Sequence, residues 1–335
     1  MNNFKKIGMT ALAASLVSTS VFAGEMAVSG SASMAMEGHS GGDNLHEGTS
    51  FSMGNQLTFS GSGELDNGMT VSLSFIIDQN DDSNATTSSP FDSHSVSVSS
   101  DALGTLVLAG EGGSSAASAL DTTAAGDMWD NFNSNGGVSV TDSAPGDNSV
   151  FYTLPSLVDG LAVSASYNPQ IATGTGHAAQ TAGNGSEIGY SATYTGVEGL
   201  SVSYGVTDLK RHAADTNAIS SGEQTAFKAS YAYGPVTLAA SNSEYDVTGT
   251  ASDQEVSSLK ISYTVTDAIS IGFGTEEIKS GTTGDKDAEY EGISASYTAG
   301  GMTVSANMQD GKNISNTTAA AEQVEYWGLG LSFAF

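Results

Sequence analysis

Apolar and small polar residues alternate at every second position through most of this chain of 335 residues. The alternating segments are joined by long and short connections in turn. Period two is the mark of a strand with one apolar and one wet face. Leu259, Ile261, Tyr263 and Val265 alternate with Lys260, Ser262 and Thr264, and Leu200, Val202, Tyr204 and Val206 with Ser201, Ser203 and Gly205. Sixteen such segments are read, at 26–38, 51–65, 69–79, 92–100, 104–111, 148–155, 161–168, 187–195, 200–208, 224–234, 235–245, 255–266, 268–278, 288–298, 301–310 and 323–335. The long connections, 39–50, 80–91, 112–147, 169–186, 209–223, 246–254, 279–287 and 311–322, are polar, whereas the others are as tight as Asp66-Asn67-Gly68 or Gly234-Pro235.

An up-and-down meander with loops at one end and turns at the other is how an outer-membrane barrel is built. Closure removes every sheet edge, as lipid requires. The fold expected is therefore all-β: a 16-stranded antiparallel up-and-down transmembrane β-barrel with long extracellular loops and short periplasmic turns. Polarity assigns the faces. Charged residues make up 14% of the chain, against roughly 25% in ordinary soluble proteins. The wet faces are mostly Ser, Thr, Gly and Ala, and the acids are read as sitting in the loops. Phe51, Phe75, Tyr167, Tyr204, Phe273 and Trp327 fall toward the loop ends of the apolar faces, and Tyr194, Tyr231, Tyr233, Tyr263, Tyr297, Phe333 and Phe335 toward the turn ends. Two aromatic girdles anchor a barrel at both membrane interfaces.

The N-terminus agrees with export. Lys5 and Lys6, the apolar stretch from Ile7 to Val17 and the Val21-Phe22-Ala23 ending form a secretory signal with cleavage after Ala23. Residues 1–23 are thus read as signal and 24–335 as one barrel. Thirty-seven acidic residues against nine Lys and Arg give −28, which excludes nucleic acid as a partner. The absence of cysteine removes disulfides and thiol chemistry.

Three stretches carry a resemblance. Asn148-Ser149-Val150-Phe151-Tyr152-Thr153-Leu154-Pro155, followed by Gly160-Leu161, resembles the segment leaving the constriction loop of Gram-negative general porins. Leu103-Gly104-Thr105-Leu106-Val107-Leu108 resembles the strand that enters that loop, and Leu331, Phe333 and the terminal Phe335 resemble the signal read by the barrel-assembly machinery. The resemblance covers the mature chain in layout and these stretches in letters. It implies a homotrimer, and a third loop, 112–147, folded inward to narrow the channel. The Pro-Glu-Phe-Gly-Gly signature of enteric members is missing from that loop.

Family members line one constriction wall with arginines that face acids on loop three. Here no Lys or Arg occurs between Gly24 and Leu209, and Thr153 stands where a base is expected. The constriction candidates are Glu111, Asp121, Asp127 and Asp130, with Lys228 and Lys260 as the lumenal bases. No hydrolase elbow, zinc motif or phosphate loop appears, and the reading is of a channel, not an enzyme. The five histidines fall in or beside long loops and are read as solvated. Asp78, Asn80 and Asp82 start like a calcium loop, but Ser83 replaces the required glycine. No cofactor is expected, beyond divalent cations such as calcium held loosely by Asp78, Asp82, Asp285 or Asp287.

The function expected is passive diffusion of ions and small hydrophilic solutes through the outer membrane, biased toward cations. A barrel with a binding track for one solute class is the alternative, and a barrel that anchors an adhesin is a third reading. Partners expected are outer-membrane lipid, the assembly machinery and the permeating solutes.

Overall fold

Strands form wherever the alternation runs. The structure, a computed structural model, describes residues 26–41, 48–78, 91–140, 148–169, 186–210, 221–248, 253–282, 284–316 and 323–335. Their order is β1 Met26–Gly41, β2 Gly48–Glu64, β3 Thr70–Asp78, β4 Phe91–Ser100, β5 Gly104–Glu111, β6 Ser149–Thr153, β7 Leu161–Asn168 and β8 Ser186–Tyr194. The second half follows as β9 Leu200–Lys210, β10 Gly222–Tyr233, β11 Val236–Val247, β12 Gln254–Thr266, β13 Ile269–Ser280, β14 Ala288–Ala299, β15 Met302–Lys312 and β16 Gln323–Ala334. Each strand pairs antiparallel with its sequence neighbours, and β16 returns to β1 to close the barrel. Residues 1–23, read above as a signal, and Asp82, His46, His177 and His212 lie outside the described residues.

The seam is tight. Gly30 N–H donates to Phe335 O at 2.8 Å, and Phe335 N–H donates back to Gly30 O at 3.0 Å. A side chain at Gly30 would run into the Phe335 ring, so the glycine makes room for the terminal aromatic where the sheet joins. Tight turns also fall where read: Gly68 at φ 77° and Gly234 at φ 58° take the left-handed conformation that the glycine permits.

Register fixes the faces. Lys260 stands opposite Ala239 and Gly274, whereas Ile261 stands opposite Leu238 and Phe273. Inward is the face whose members Ser166, Ser241, Ser258, Glu276 and Gln309 bond to residues 116–131. Glu37, Glu64, Ser203, Lys260 and Ser305 share that parity. Val71, Leu73, Val202, Ile261 and Phe333 share the other. Leu73, Ile261 and Phe333 are exposed, as are twelve of the thirteen aromatics named above. The thirteenth, Phe75, stacks on Phe59 with ring centroids 4.8 Å apart.

Two features depart from the expectation. First, the loop-ward ends of the later strands carry acids on the outer wall. Glu244 stands opposite Glu255, Glu277 opposite Glu289 and Glu291 opposite Asp310. Like charges directly opposite are unfavourable in a sheet, and here Lys279 relieves one group, reaching Glu255 at 3.2 Å and Glu277 at 3.8 Å. Strands of 12 and 13 residues exceed the roughly nine to eleven that cross the hydrocarbon, so their outer ends stand in the headgroup layer, where carboxylates stay hydrated. Second, the inner face is not uniformly small and polar. Val256, Ile278, Tyr290, Val324 and Tyr326 are buried there, in a cluster described below.

Cysteine at position 260 should react with a membrane-impermeant thiol reagent, and cysteine at position 261 should not. Labelling the two in intact membranes checks this, and the reverse pattern would move β12 by one residue.

Candidate functional site: a loop clamped across the lumen

The chain leaving β5 does not stay outside. It enters the barrel, makes a short helix α1 (Ser118–Asp121) and a 3-10 helix (Met128–Asn135), and is described as far as residue 140. Between the helices a closed turn forms. Thr123 N–H donates to Asp127 Oδ1 at 2.8 Å, while Asp127 N–H donates to Thr123 Oγ1 at 2.9 Å. Asp127 sits at φ 52°, a left-handed conformation that Asp and Asn tolerate better than other side-chain-bearing residues.

Polar bonds tie this loop to one strand after another. Ala116 N–H donates to Ser166 Oγ on β7, Ala124 N–H to Ser241 Oγ on β11 and Ala125 N–H to Ser258 Oγ on β12, all at 2.8–2.9 Å. Glu276 on β13 takes both helices' ends together: Thr123 Oγ1 donates to its Oε2 at 2.5 Å and Trp129 N–H to its Oε1 at 3.0 Å. Asn131 Nδ2 donates to Gln309 Oε1 on β15 at 2.9 Å, and His39 on β1 lies 2.6 Å from Asn131 O through its Nε2. Glycine allows the close approach. A Cβ at Gly205 would lie 2.9 Å from Leu120, and one at Gly274 would lie 2.9 Å from Ala125.

An apolar clamp completes the attachment. Phe132, fully buried, meets Tyr290 at 5.1 Å and Tyr326 at 6.2 Å between ring centroids. Met128, Val256, Ile278, Ile314 and Val324 complete the cluster. His39 packs on Tyr326 at 5.0 Å, so it is a clamp residue and not a solvated loop histidine. Burial of these side chains inside a water-filled tube is favourable because the loop, not lipid, covers them.

The loop therefore follows the inner wall from β7 round to β1. The uncovered wall, β2 to β5, is mostly hydroxyl, with Ser60, Ser62, Ser72, Ser74, Ser95 and Ser97 across its middle, Glu64 toward the turns, and Ile76, Val107 and Ala109 as its apolar members. It holds no Lys or Arg. The open passage runs between a hydroxyl wall and the loop.

The constriction candidates separate into distinct places. Asp121 accepts from Gln224 Nε2 at 2.9 Å. Asp127 closes the turn. Asp130 is exposed on the 3-10 helix and accepts from Asn133 Nδ2 at 2.7 Å. Glu111 ends β5 opposite His94. Lys228 donates to a loop carbonyl, Thr122 O, at 2.7 Å, not to a carboxylate. Lys260 lies one step toward the turns, and no ion pair among the described residues joins either lysine to a loop acid. Among the described residues no three His, Asp or Glu side chains converge as metal ligands. Asp78 ends β3, Asp285 accepts from Ser280 Oγ at 3.4 Å, and Asp287 offers its backbone carbonyl to Asn313.

Sequence reading missed Glu276, Gln224 and the apolar clamp. The signal was present: Ile278, Tyr290, Val324 and Tyr326 are apolar at lumenal parity, and Met128, Trp129 and Phe132 are apolar in an otherwise polar loop.

Phe132→Ala should release the loop. Truncating a buried Phe typically costs about 3–5 kcal/mol, here taken from docking and not from the barrel. Single-channel conductance should rise and larger neutral solutes should pass, with barrel unfolding by heat little changed. Unaltered conductance would show that the polar bonds alone hold the loop.

The family model described as Gram-negative porin matches residues 8–335. Among solved structures, the anion-selective porin from Comamonas acidovorans is 16% identical with a TM-score of 0.69. An engineered variant of the Rh. blastica porin is 18% identical with a TM-score of 0.64. A porin refined at 1.8 Å is 20% identical with a TM-score of 0.64. Each comparison covers 93% of this chain and 100% of the other. At these identities the likeness to solved structures shows the fold. No curated protein sequence matches the chain.

Proposed function

This chain belongs to the Gram-negative porin family, and from that premise we propose that its channel passes ions and small hydrophilic solutes with a preference for cations. An outer-membrane diffusion channel, not an enzyme, is what the family and the closed sixteen-strand barrel make of it. The preference for cations is carried by one observation: the hydroxyl wall from β2 to β5 opposes the loop without a single base. Of the two lumenal lysines, Lys228 is spent on a loop carbonyl. Asp130 stands exposed on the loop, and the whole chain carries −28.

Wall charge sets ion preference in a pore. Opposite charges about 4 Å apart interact by about 1 kcal/mol in bulk water and several times that at lower effective dielectric. A difference of about 1.4 kcal/mol is a factor of ten. The fold does not decide the sign, because the Comamonas acidovorans porin that shares it is anion-selective. Residues do.

Reversal potential across a tenfold KCl gradient should show cation selectivity at low salt, and the preference should shrink near 1 M, where the Debye length is about 3 Å. Asp127→Asn together with Asp130→Asn should weaken it further. Asn keeps the acceptor that Thr123 N–H needs and tolerates the left-handed backbone, so the double change removes charge while leaving the turn. Anion selectivity at low salt would overturn this reading.

We also propose a homotrimer joined through the outer faces of β1 and β2. Met26, Met34, Met36, Phe51 and Met53 are exposed there, and no acid stands among the outward residues of those two strands. The outer acids of β9 to β16 face headgroups instead, with divalent cations such as calcium as loosely held counterions. Met53→Asp should convert trimers to monomers in a mild detergent, read by light scattering.

A further inference from the structure

Immediately on the turn side of the clamped loop, the inner wall has a cleft of about 300 Å³. Lys260, Ser262, Ser294, Ser305 and Asn307 line it. Its position relative to the loop is set by register. Lys260 is paired with Gly274, and a Cβ on Gly274 would touch Ala125 of the loop. Gly272, paired with Ser262 and with Ser294, opens the cleft: a Cβ there would lie 3.1 Å from Ser294 Oγ and 3.5 Å from Lys260 Cε. The glycine is the gap between ammonium stem and hydroxyl.

These groups are unoccupied by one another. Among the described residues, Lys260, Ser262, Ser294, Ser305 and Asn307 make no side-chain hydrogen bond or ion pair, in contrast to Ser270 and Ser296 beside them, which bond to each other at 2.7 Å. Lys260 is half-buried. An ammonium group offers donors only, a hydroxyl can turn to donate, and an amide offers two N–H. Nothing lining the cleft is anionic. The set carries one positive charge and no negative one, and every polar group in it can donate, so the ligand that supplies several acceptors together with the opposite charge is an oxyanion.

We infer that this cleft is a binding stop for an oxyanion group, a carboxylate or a phosphate carried by a permeating solute, located just below the constriction and centred on Lys260. It rests on the channel reading but not on the preference for cations. The ammonium supplies the charge, Ser294 across Gly272 and Ser262 supply hydroxyl donors, and Asn307 supplies its amide. Because the acidic loop lies on the other side, an oxyanion reaches the stop more readily from the periplasmic face, and the hydroxyl wall from β2 to β5 offers no competing base.

Single channels in planar bilayers with dilute KCl test this. Inorganic phosphate and, separately, succinate are added to the periplasmic face, and the potassium current is followed. Concentration-dependent reduction by either ion is expected, and response to only one assigns the stop to phosphate or to carboxylate. Lys260→Gln should weaken the reduction by roughly tenfold, the size of one lost charge-assisted contact. Lys279→Gln, which removes the same charge from the outer wall, should leave it unchanged. Gly272→Val, which fills the gap and keeps the lysine, should weaken it as well. Normal conductance with no response to either ion would overturn the inference, as would equal responses from the parent channel and Lys260→Gln. Absence of any conductance would instead overturn the channel reading.

Discussion

Lipid offers no hydrogen-bond partner, and everything else in this molecule follows from that lack. A strand can cross hydrocarbon only if both its edges are paired. The sheet must therefore return on itself, and β16 must find β1 in register. The chain meets this condition at its last residue, where Phe335 and Gly30 exchange backbone bonds. Closure in turn separates two solvents, one on each side of a wall a single residue thick. Alternation along the strand then becomes an assignment of each side chain to lipid or to water.

Within the lumen the problem is reversed. A free loop in a wide water-filled tube loses conformational entropy on docking, and it must gain enough elsewhere to hold one position. This loop gains from both kinds of interaction. Phe132 and Met128 remove apolar surface from water, while Glu276 gathers a hydroxyl and an amide from the two ends of the turn. The polar groups set register and the apolar ones supply holding strength, a division seen also at protein interfaces. Fixed in this way, the loop displaces the passage to the opposite wall.

Much of the barrel could be read directly from the residues, because a period of two is unambiguous when one face is lipid. Leu259 to Thr264 leaves no choice of face. The strand ends were harder to read, since the alternation continues past the hydrocarbon into the headgroup layer. That is why β1, β2 and β15 run on by two or three residues past the loop-side ends read for them. The loop's inward course came from a resemblance, and its attachment came from neither source. Tyr290 and Tyr326 sit at lumenal parity and look like breaks in the pattern until Phe132 is placed against them. Contacts between residues 92 to 289 positions apart, such as His39 with Asn131 and Glu37 with Tyr326, leave no local trace. The role of Lys228 was hidden for the same reason: its partner is a backbone carbonyl, which has no letter in the sequence.

The acids on the outer wall have a further consequence. They run along one arc of the circumference, from Asp208 on β9 to Glu325 on β16, while methionines and Phe51 occupy the exposed surface of β1 and β2. A tube that is round in cross-section is therefore not round in its surroundings. In the plane of the membrane it has a front and a back: one side excludes acidic neighbours and gathers cations, and the other accepts close apolar contact. Rotation about the barrel axis is then no longer free of cost. In a crowded outer leaflet the protein behaves as an oriented tile, and the orientation of each copy constrains that of the next.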